Sequence, residues 1–234
     1  MYDIKMENIN QMPSGFKESF LLTDIGKQIE NDYDLIIDNE VSQAFSSPRE
    51  DCMTSCFSIA PFYYTNLLTE KNTGTIYDIG CGSNLLKKYY PEIIGIDPEN
   101  DKADLCDTFN YNFITKYENA IQSLISINAI HFIPITQINE RLYQINLVLS
   151  DKGRAFVTFN LARMMERTEH LDFLGIYDFK KFSPDTKYLQ IIESYIRAEL
   201  YNSKLNFVCI DIDFSVYNAF LNGNIRLVFD KTQK

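Results

Sequence analysis

A chain of 234 residues with 45% hydrophobic content can bury one sizeable core, and single α/β domains of this length are common. Its 22 Lys and Arg against 32 Asp and Glu leave a formal charge of -10, which argues against a sequence-independent grip on polyphosphate, since that grip uses a basic face. The five cysteines, Cys52, Cys56, Cys81, Cys106 and Cys209, form no C-x-x-C pair and read as reduced thiols of a cytoplasmic protein with no metal site.

No run of roughly 18 apolar residues is present to span a bilayer. The polar start MYDIKMENINQ lacks the apolar stretch of a signal peptide. In chain order, residues 1–71 read as a helical segment. Ser47, Pro48 and Glu50 form a capping box, followed by Met53, Cys56, Phe57 and Ala60 at helical spacing. Phe62, Tyr63 and Tyr64 come next, read either as core aromatics or as part of a lid. The break at TEKNTG then opens a second region, residues 72–234, in which short apolar runs alternate with amphipathic ones, the pattern of βαβ units and a parallel sheet covered on both faces.

Strands are expected over Thr75–Asp78 and Ile93–Asp97, a very short one at Leu105 and Cys106, and a fourth over Ile121–Ile127. Ile138, Leu142, Ile145 and Leu149 make one helix stripe, with Gly153 as its end and Arg154–Phe159 as the next strand. A helix over Asp185–Tyr201 would bury Tyr188, Ile191, Ile192, Tyr195 and Leu200. Strand-like runs at Asn206–Phe214 and Asn224–Phe229 close the chain, with Asn222-Gly223 as a candidate tight turn.

The string TIYDIGCGSNLLKKYY carries the chemistry: an apolar strand ending at Asp78, then Gly80 and Gly82, then a helical pattern. Glycines at a strand-to-helix turn let a ligand lie against the backbone. Downstream, IIGID ends in Asp97, close to the roughly 20-residue spacing at which nucleotide folds carry a ribose-binding carboxylate. The G-x-G-x-x-G fingerprint of dinucleotide binding fails, because Leu85 stands where its third glycine belongs.

DIGCGSN followed by GIDPE resembles the first two motifs of class I S-adenosylmethionine-dependent methyltransferases. GIDPENDKADLCDTF is similar to the shortened segment of compact small-molecule methyltransferases that lack the second crossover helix, and QSLISINAIHFIP resembles their fourth-strand turn. The resemblance implies a Rossmann-like, doubly wound, mostly parallel seven-stranded sheet with an antiparallel last strand, preceded by the N-terminal helical segment. It also implies S-adenosylmethionine as cofactor, held by Asp78, Gly80, Cys81, Gly82, Asp97, Pro98, Asp107, Asn128 and Ala129, with Asp107 matching the acid that reaches the adenine amino group. Two departures stand out: Gln122 where the family often has Asp, and Asn84 at the third glycine position.

No catalytic residue is assigned. His131 is the one histidine in the site region, read either as a general base or as a packing residue. Asn160, Arg163 and Arg167 follow the fifth strand, either facing an acidic substrate or forming a solvated, salt-bridged face with Glu166 and Glu169. The implied activity is methyl transfer to a small-molecule acceptor, without a membrane or nucleic-acid partner; the N-P-P-Y-type tetrad of base methylation is absent. Residues 1–71 would serve as a lid or as a surface for a protein partner. The competing readings are a non-catalytic structural or binding module on the same scaffold, and a nucleic-acid or protein methyltransferase.

Overall fold

A computed structural model describes residues 19, 22–29, 31–32, 65, 68, 74–130, 132–168, 186–217 and 220–232. The Ser47–Glu50 capping box, the helix expected after it, the aromatics Phe62–Tyr64, Cys52, Cys56 and Glu169 lie outside the described residues.

The short apolar runs become the centre of one sheet. Strands β1 (Ile76–Ile79), β2 (Ile93–Ile96) and β3 (Ile121–Ile127) are mutually parallel in the order β2-β1-β3, with Ile76 opposite both Ile93 and Ser123. Strand β4 (Leu149–Asn160) runs parallel beside β3, and β5 (Asn206–Tyr217) and β6 (Phe220–Asp230) complete the order β2-β1-β3-β4-β6-β5. The last strand is antiparallel to both of its neighbours, as the resemblance implied.

Among the described residues the sheet has six strands where seven were expected. The expected third strand contributes one parallel bridge, Leu105 to Ile96. Acids flank it on both sides in Asp104-Leu105-Cys106-Asp107, and Leu105 is itself exposed, so the segment has no apolar face to lay along the sheet. Residues 97–104 form turns without a helix, which is the shortened crossover read from the sequence.

Consecutive residues of the strands point to opposite faces, and each face has its own core. On one face Ile79, Leu124, Val157 and Leu227 pack with helix α2 (Ile138–Val148) and helix α4 (Thr186–Asn202), through Leu142, Ile145, Ile192, Ile196 and Leu200. On the other, Ile76, Ile93, Ile125, Phe156 and Val228 pack with Leu86, Tyr89, Tyr90, Ile29 and Leu68. Full burial of one such side chain stabilises by about 1.5–3 kcal/mol. Ile191 and Tyr195, expected on the buried face of α4, are only partly buried.

Residues 24–29 are helical, and this N-terminal stretch is fastened to the sheet's second face. Lys88 Nζ and Tyr89 Oη donate to Asp32 at 2.9 and 3.0 Å.

Four local expectations are revised. The element after the glycine turn is one turn of 3-10 helix, Leu85–Lys88, and not a full helix. Helix α1 (Tyr111–Lys116), capped by the Asn110 side chain accepting from Phe113 N at 3.1 Å, had no counterpart in the sequence reading. Helix α2 ends at Val148, before Gly153, and Gly153 lies inside β4. A Cβ there would stand 2.7 Å from the Ile121 carbonyl oxygen, so this glycine serves strand approach at a bulge and not a helix end. Asn222-Gly223 is paired within β6, opposite Ser215 and Phe214, and the hairpin turns between Tyr217 and Phe220.

Candidate functional site

The chain leaves β1 for β2 and the Leu105 bridge on one side, then returns past β1 to β3 and β4 on the other. The winding therefore reverses between β1 and β3. The crevice beyond the carboxyl ends of those two strands is where an open α/β sheet binds its ligand. Two loops meet there, one after Ile79 and one after Ile127.

In the first loop, Gly80 and Gly82 take φ values of 72° and 53°, a left-handed backbone that glycine adopts without a side-chain clash. Gly80 N and Cys81 N both donate to the Ile96 carbonyl, at 2.7 and 3.1 Å, which folds the turn over the end of β2. In the second loop, Asn128 is also left-handed, at φ 49°. Its N–H donates to Thr158 Oγ1 at 2.9 Å, and the Thr158 hydroxyl donates back to Asn128 Oδ1 at 2.8 Å. The loops touch: a Cβ on Gly80 would lie 2.1 Å from the Ala129 Cβ. Beneath them, Ser126 Oγ donates to the Ile79 carbonyl at 3.0 Å and ties β3 to β1.

Asp97, at the end of β2, reaches back to the glycine turn. Its Oδ2 accepts from Gly82 N at 3.1 Å, and its Oδ1 accepts from Glu99 N and Asn100 N at 3.0 and 3.1 Å. A carboxylate offers about four lone-pair sites, so these bonds leave acceptor capacity for a ligand hydroxyl. Capping of the following turn and a ligand-facing role are thus compatible in one side chain. Pro98 is exposed, and its carbonyl accepts from Cys106 Sγ at 3.4 Å. Asp107, ahead of α1, accepts from Thr108 N at 2.8 Å and pairs at 3.6 Å with Lys116, the last residue of that helix (Tyr111–Lys116).

The electrostatics of the site are acidic. Asp78 is buried at the end of β1, and burial first, then the nearby Asp97 charge, push its carboxyl up to about 7. Burial, followed by Asp78, Asp97 and Asp104, also raises the Cys81 thiol far above its ordinary range, which keeps this buried side chain protonated.

The structure brings together Asp78, Gly80, Cys81, Gly82 and Asp97 at one turn, and Asn128 and Ala129 against it. His131 lies outside the described residues. Gln122 sits at the amino end of β3, the far edge of the sheet from the crevice, so its departure from the family pattern does not touch the site. Asn160 caps helix α3 (Leu161–Glu166) by accepting from Arg163 N at 3.0 Å, and Arg163 pairs with Glu166 at 3.2 Å, the solvated-face reading. Arg167 stacks on the Phe132 ring, 4.9 Å from its centroid.

Sequence reasoning missed one support of the site, Thr158, and read Asp104 only as an acid flanking the short strand, without its partners. Thr158, which locks the Asn128 loop, is one of many polar residues on apolar strands. Asp104 accepts from Gly95 N at 2.8 Å and from Asn84 Nδ2 at 3.2 Å. The signal for Asn84 was its residue type, since Asn tolerates the left-handed backbone it adopts at φ 57°.

No protein-family model matches this chain, and no curated protein matches it in sequence. Solved structures similar to it include a protein from Listeria monocytogenes described as an S-adenosylmethionine-dependent methyltransferase, 11% identical, with 75% of this chain and 100% of that chain covered at a TM-score of 0.45. An S-adenosylmethionine-dependent methyltransferase from Anabaena variabilis is 13% identical, with coverages of 74% and 85% and a TM-score of 0.43. The geranyl diphosphate C-methyltransferase of Streptomyces coelicolor, solved with S-adenosyl-L-homocysteine, is 10% identical, with coverages of 72% and 77% and a TM-score of 0.42. These three similar structures are all described as methyltransferases, two of them as S-adenosylmethionine-dependent.

Proposed function

We propose that this chain is an S-adenosylmethionine-dependent methyltransferase acting on a small-molecule acceptor. The observation that carries the reading is the Asp97 carboxylate bonded to Gly82 N at the switch point of the sheet. A hydroxyl acceptor and a side-chain-free turn there face the same crevice, the pairing that a nucleoside needs.

The charge of the site supports a sulfonium over a pyrophosphate. The Asp97 carboxylate lies close enough to Asp78 to raise its carboxyl, and a carboxylate at that spot attracts a cation and repels a phosphate. The single 3-10 turn after the glycines also offers no long helix dipole to a phosphate group.

The residues present fit the cofactor. Asp97 would take ribose hydroxyls, the Gly80–Gly82 backbone and Asp78 would flank the amino-acid end, and Asp107 with the Asn128–Ala129 loop would border the base. When bound, the cofactor supplies an already activated methyl group. The protein's own task is then to hold donor and acceptor in line and to exclude water. Phe132 and Arg167, which follow β3 and β4 in the chain and stack on one another, would be candidates to meet an acceptor.

Isothermal titration of the full chain with S-adenosylmethionine and S-adenosylhomocysteine tests the cofactor. Saturable binding is expected, weakened roughly 10-fold or more in Asp97→Ala, as for loss of a hydrogen bond to a charged group. Absence of binding up to millimolar ligand sinks the proposal. A non-catalytic module on the same scaffold is favoured by one observation, the Ala129 methyl packed against Gly80, which closes one side of the turn; methyl transfer from labelled S-adenosylmethionine in a screen of small-molecule acceptors decides between the two.

A further inference from the structure

The segment that carries Asp107 has no crossover helix to hold it against the sheet, yet it is fastened at several points. Asp104 N and Leu105 N both donate to the Gly95 carbonyl, at 2.9 and 3.1 Å, and Asp97 N donates to the Leu105 carbonyl at 3.1 Å. The Asp104 carboxylate adds side-chain ties in two directions. One oxygen accepts from Gly95 N at 2.8 Å, in the middle of β2, and from Asn84 Nδ2 at 3.2 Å, in the glycine loop. The other forms an ion pair with Lys87, in the 3-10 turn that follows that loop.

Asn84 is the joint between the two segments. Its left-handed backbone ends the turn, its N–H donates to the Cys81 carbonyl at 2.9 Å, and its amide nitrogen also donates to the Lys102 carbonyl at 3.0 Å. Two acceptors on one nitrogen fix the orientation of that amide. Gly95 is what lets the amide in: a Cβ there would lie 2.4 Å from Asn84 Oδ1.

We propose that Asp104 is a positioning residue, which clasps the glycine turn to the 97–107 segment through Asn84, Lys87 and Gly95 and so sets the spacing between the two halves of the candidate site. The consequence for ligand affinity rests on the cofactor reading above; the clasp itself does not. Asp104 need not touch the ligand. It replaces, with one carboxylate and three donors, the rigidity that a crossover helix would bring.

The test uses the full chain and two readouts. Amide hydrogen exchange without ligand reports the clasp: in Asp104→Ala, Gly80, Cys81 and Gly82 N–H should exchange at least about tenfold faster, while amides of β4 and β6 keep their rates, a pattern that global destabilisation does not produce. Titration with S-adenosylhomocysteine well below the unfolding temperature should show at least about tenfold weaker binding in the same variant. Lys87→Met, which removes one of the three donors together with its charge, should give smaller changes of the same kind and covers the case in which Asp104→Ala fails to fold. Unchanged exchange in the glycine turn of either folded variant overturns the clasp. Wild-type chain that shows the exchange effect on mutation but binds no S-adenosylhomocysteine overturns the cofactor reading and leaves the clasp standing.

Discussion

Gly80 is held at φ 72° with the Ala129 methyl where its own side chain would project. Gly80→Ala therefore meets two costs, a left-handed backbone of about 1–2 kcal/mol and overpacking of about 1–3 kcal/mol. Denaturant unfolding should show a loss of about 3 kcal/mol, and adding Ala129→Gly should recover the packing part while leaving the backbone part. A single variant within about 0.5 kcal/mol of wild type contradicts the contact. Asp78 makes a pH prediction. Its carboxyl rises from an ordinary 3.8 to about 7 in the folded chain. Between those values the native state keeps a proton that the unfolded chain has released, so this contribution is full below 3.8 and is lost as pH rises through 7, a decline on the order of 4 kcal/mol. Asp78→Asn should flatten that decline in unfolding curves taken from pH 4 to 8. A bound sulfonium favours the ionised carboxylate, so binding of S-adenosylmethionine near pH 7 should release protons and tighten as pH rises. Calorimetry in two buffers of different ionisation enthalpy reads this; identical apparent enthalpies argue against it.

At the scale of elements, the antiparallel closure of the sheet depends on register. Arg154 and Asp230 are opposite one another in the β4–β6 ladder, and the guanidinium grips the carboxylate with two bonds, 2.6 and 2.9 Å. Arg154 is nearly buried, with 10% of its side chain exposed, so the pair acts as a pin against a one-residue slip that would exchange the two cores. Asp230→Ala leaves that guanidinium unpaired and should cost about 2 kcal/mol in urea unfolding. Replacing both partners, as Arg154→Met with Asp230→Leu, should recover most of the loss. The helices were legible to different degrees: the spacing of Ile138, Leu142 and Ile145 marked α2, although Leu149, read as the fourth member of the stripe, begins β4, whereas α1, with six residues and two buried apolar side chains, is too short to show a periodicity.

For the molecule as a whole, the charge of -10 is the property that bears on acceptor class. No helix among the described residues is long and apolar enough to cross a membrane. A duplex DNA gel shift at low ionic strength, where basic-face binding is strongest, should show no retardation by this protein. A salt-sensitive shift would instead favour the nucleic-acid alternative.

The class of fold was readable in the sequence because parallel strands covered on both faces are rich in apolar residues: Ile93–Ile96 is such a run, and Ile121–Ile127 carries apolar residues for both faces between Gln122, Ser123 and Ser126. The glycine turn and Asp97 were readable because steric freedom and a carboxylate are properties of residue type. What the tertiary structure alone decided are matters of approach between segments distant in the chain. The Leu105 segment forms one bridge instead of a strand, because its polar surroundings give it nothing to bury. Gly153 and Gly95 are glycines for the sake of Ile121 and Asn84, and Asp104 joins two loops that sequence order separates by a strand. Residue type announces what a position tolerates, but only the folded backbone determines which neighbour it has to tolerate.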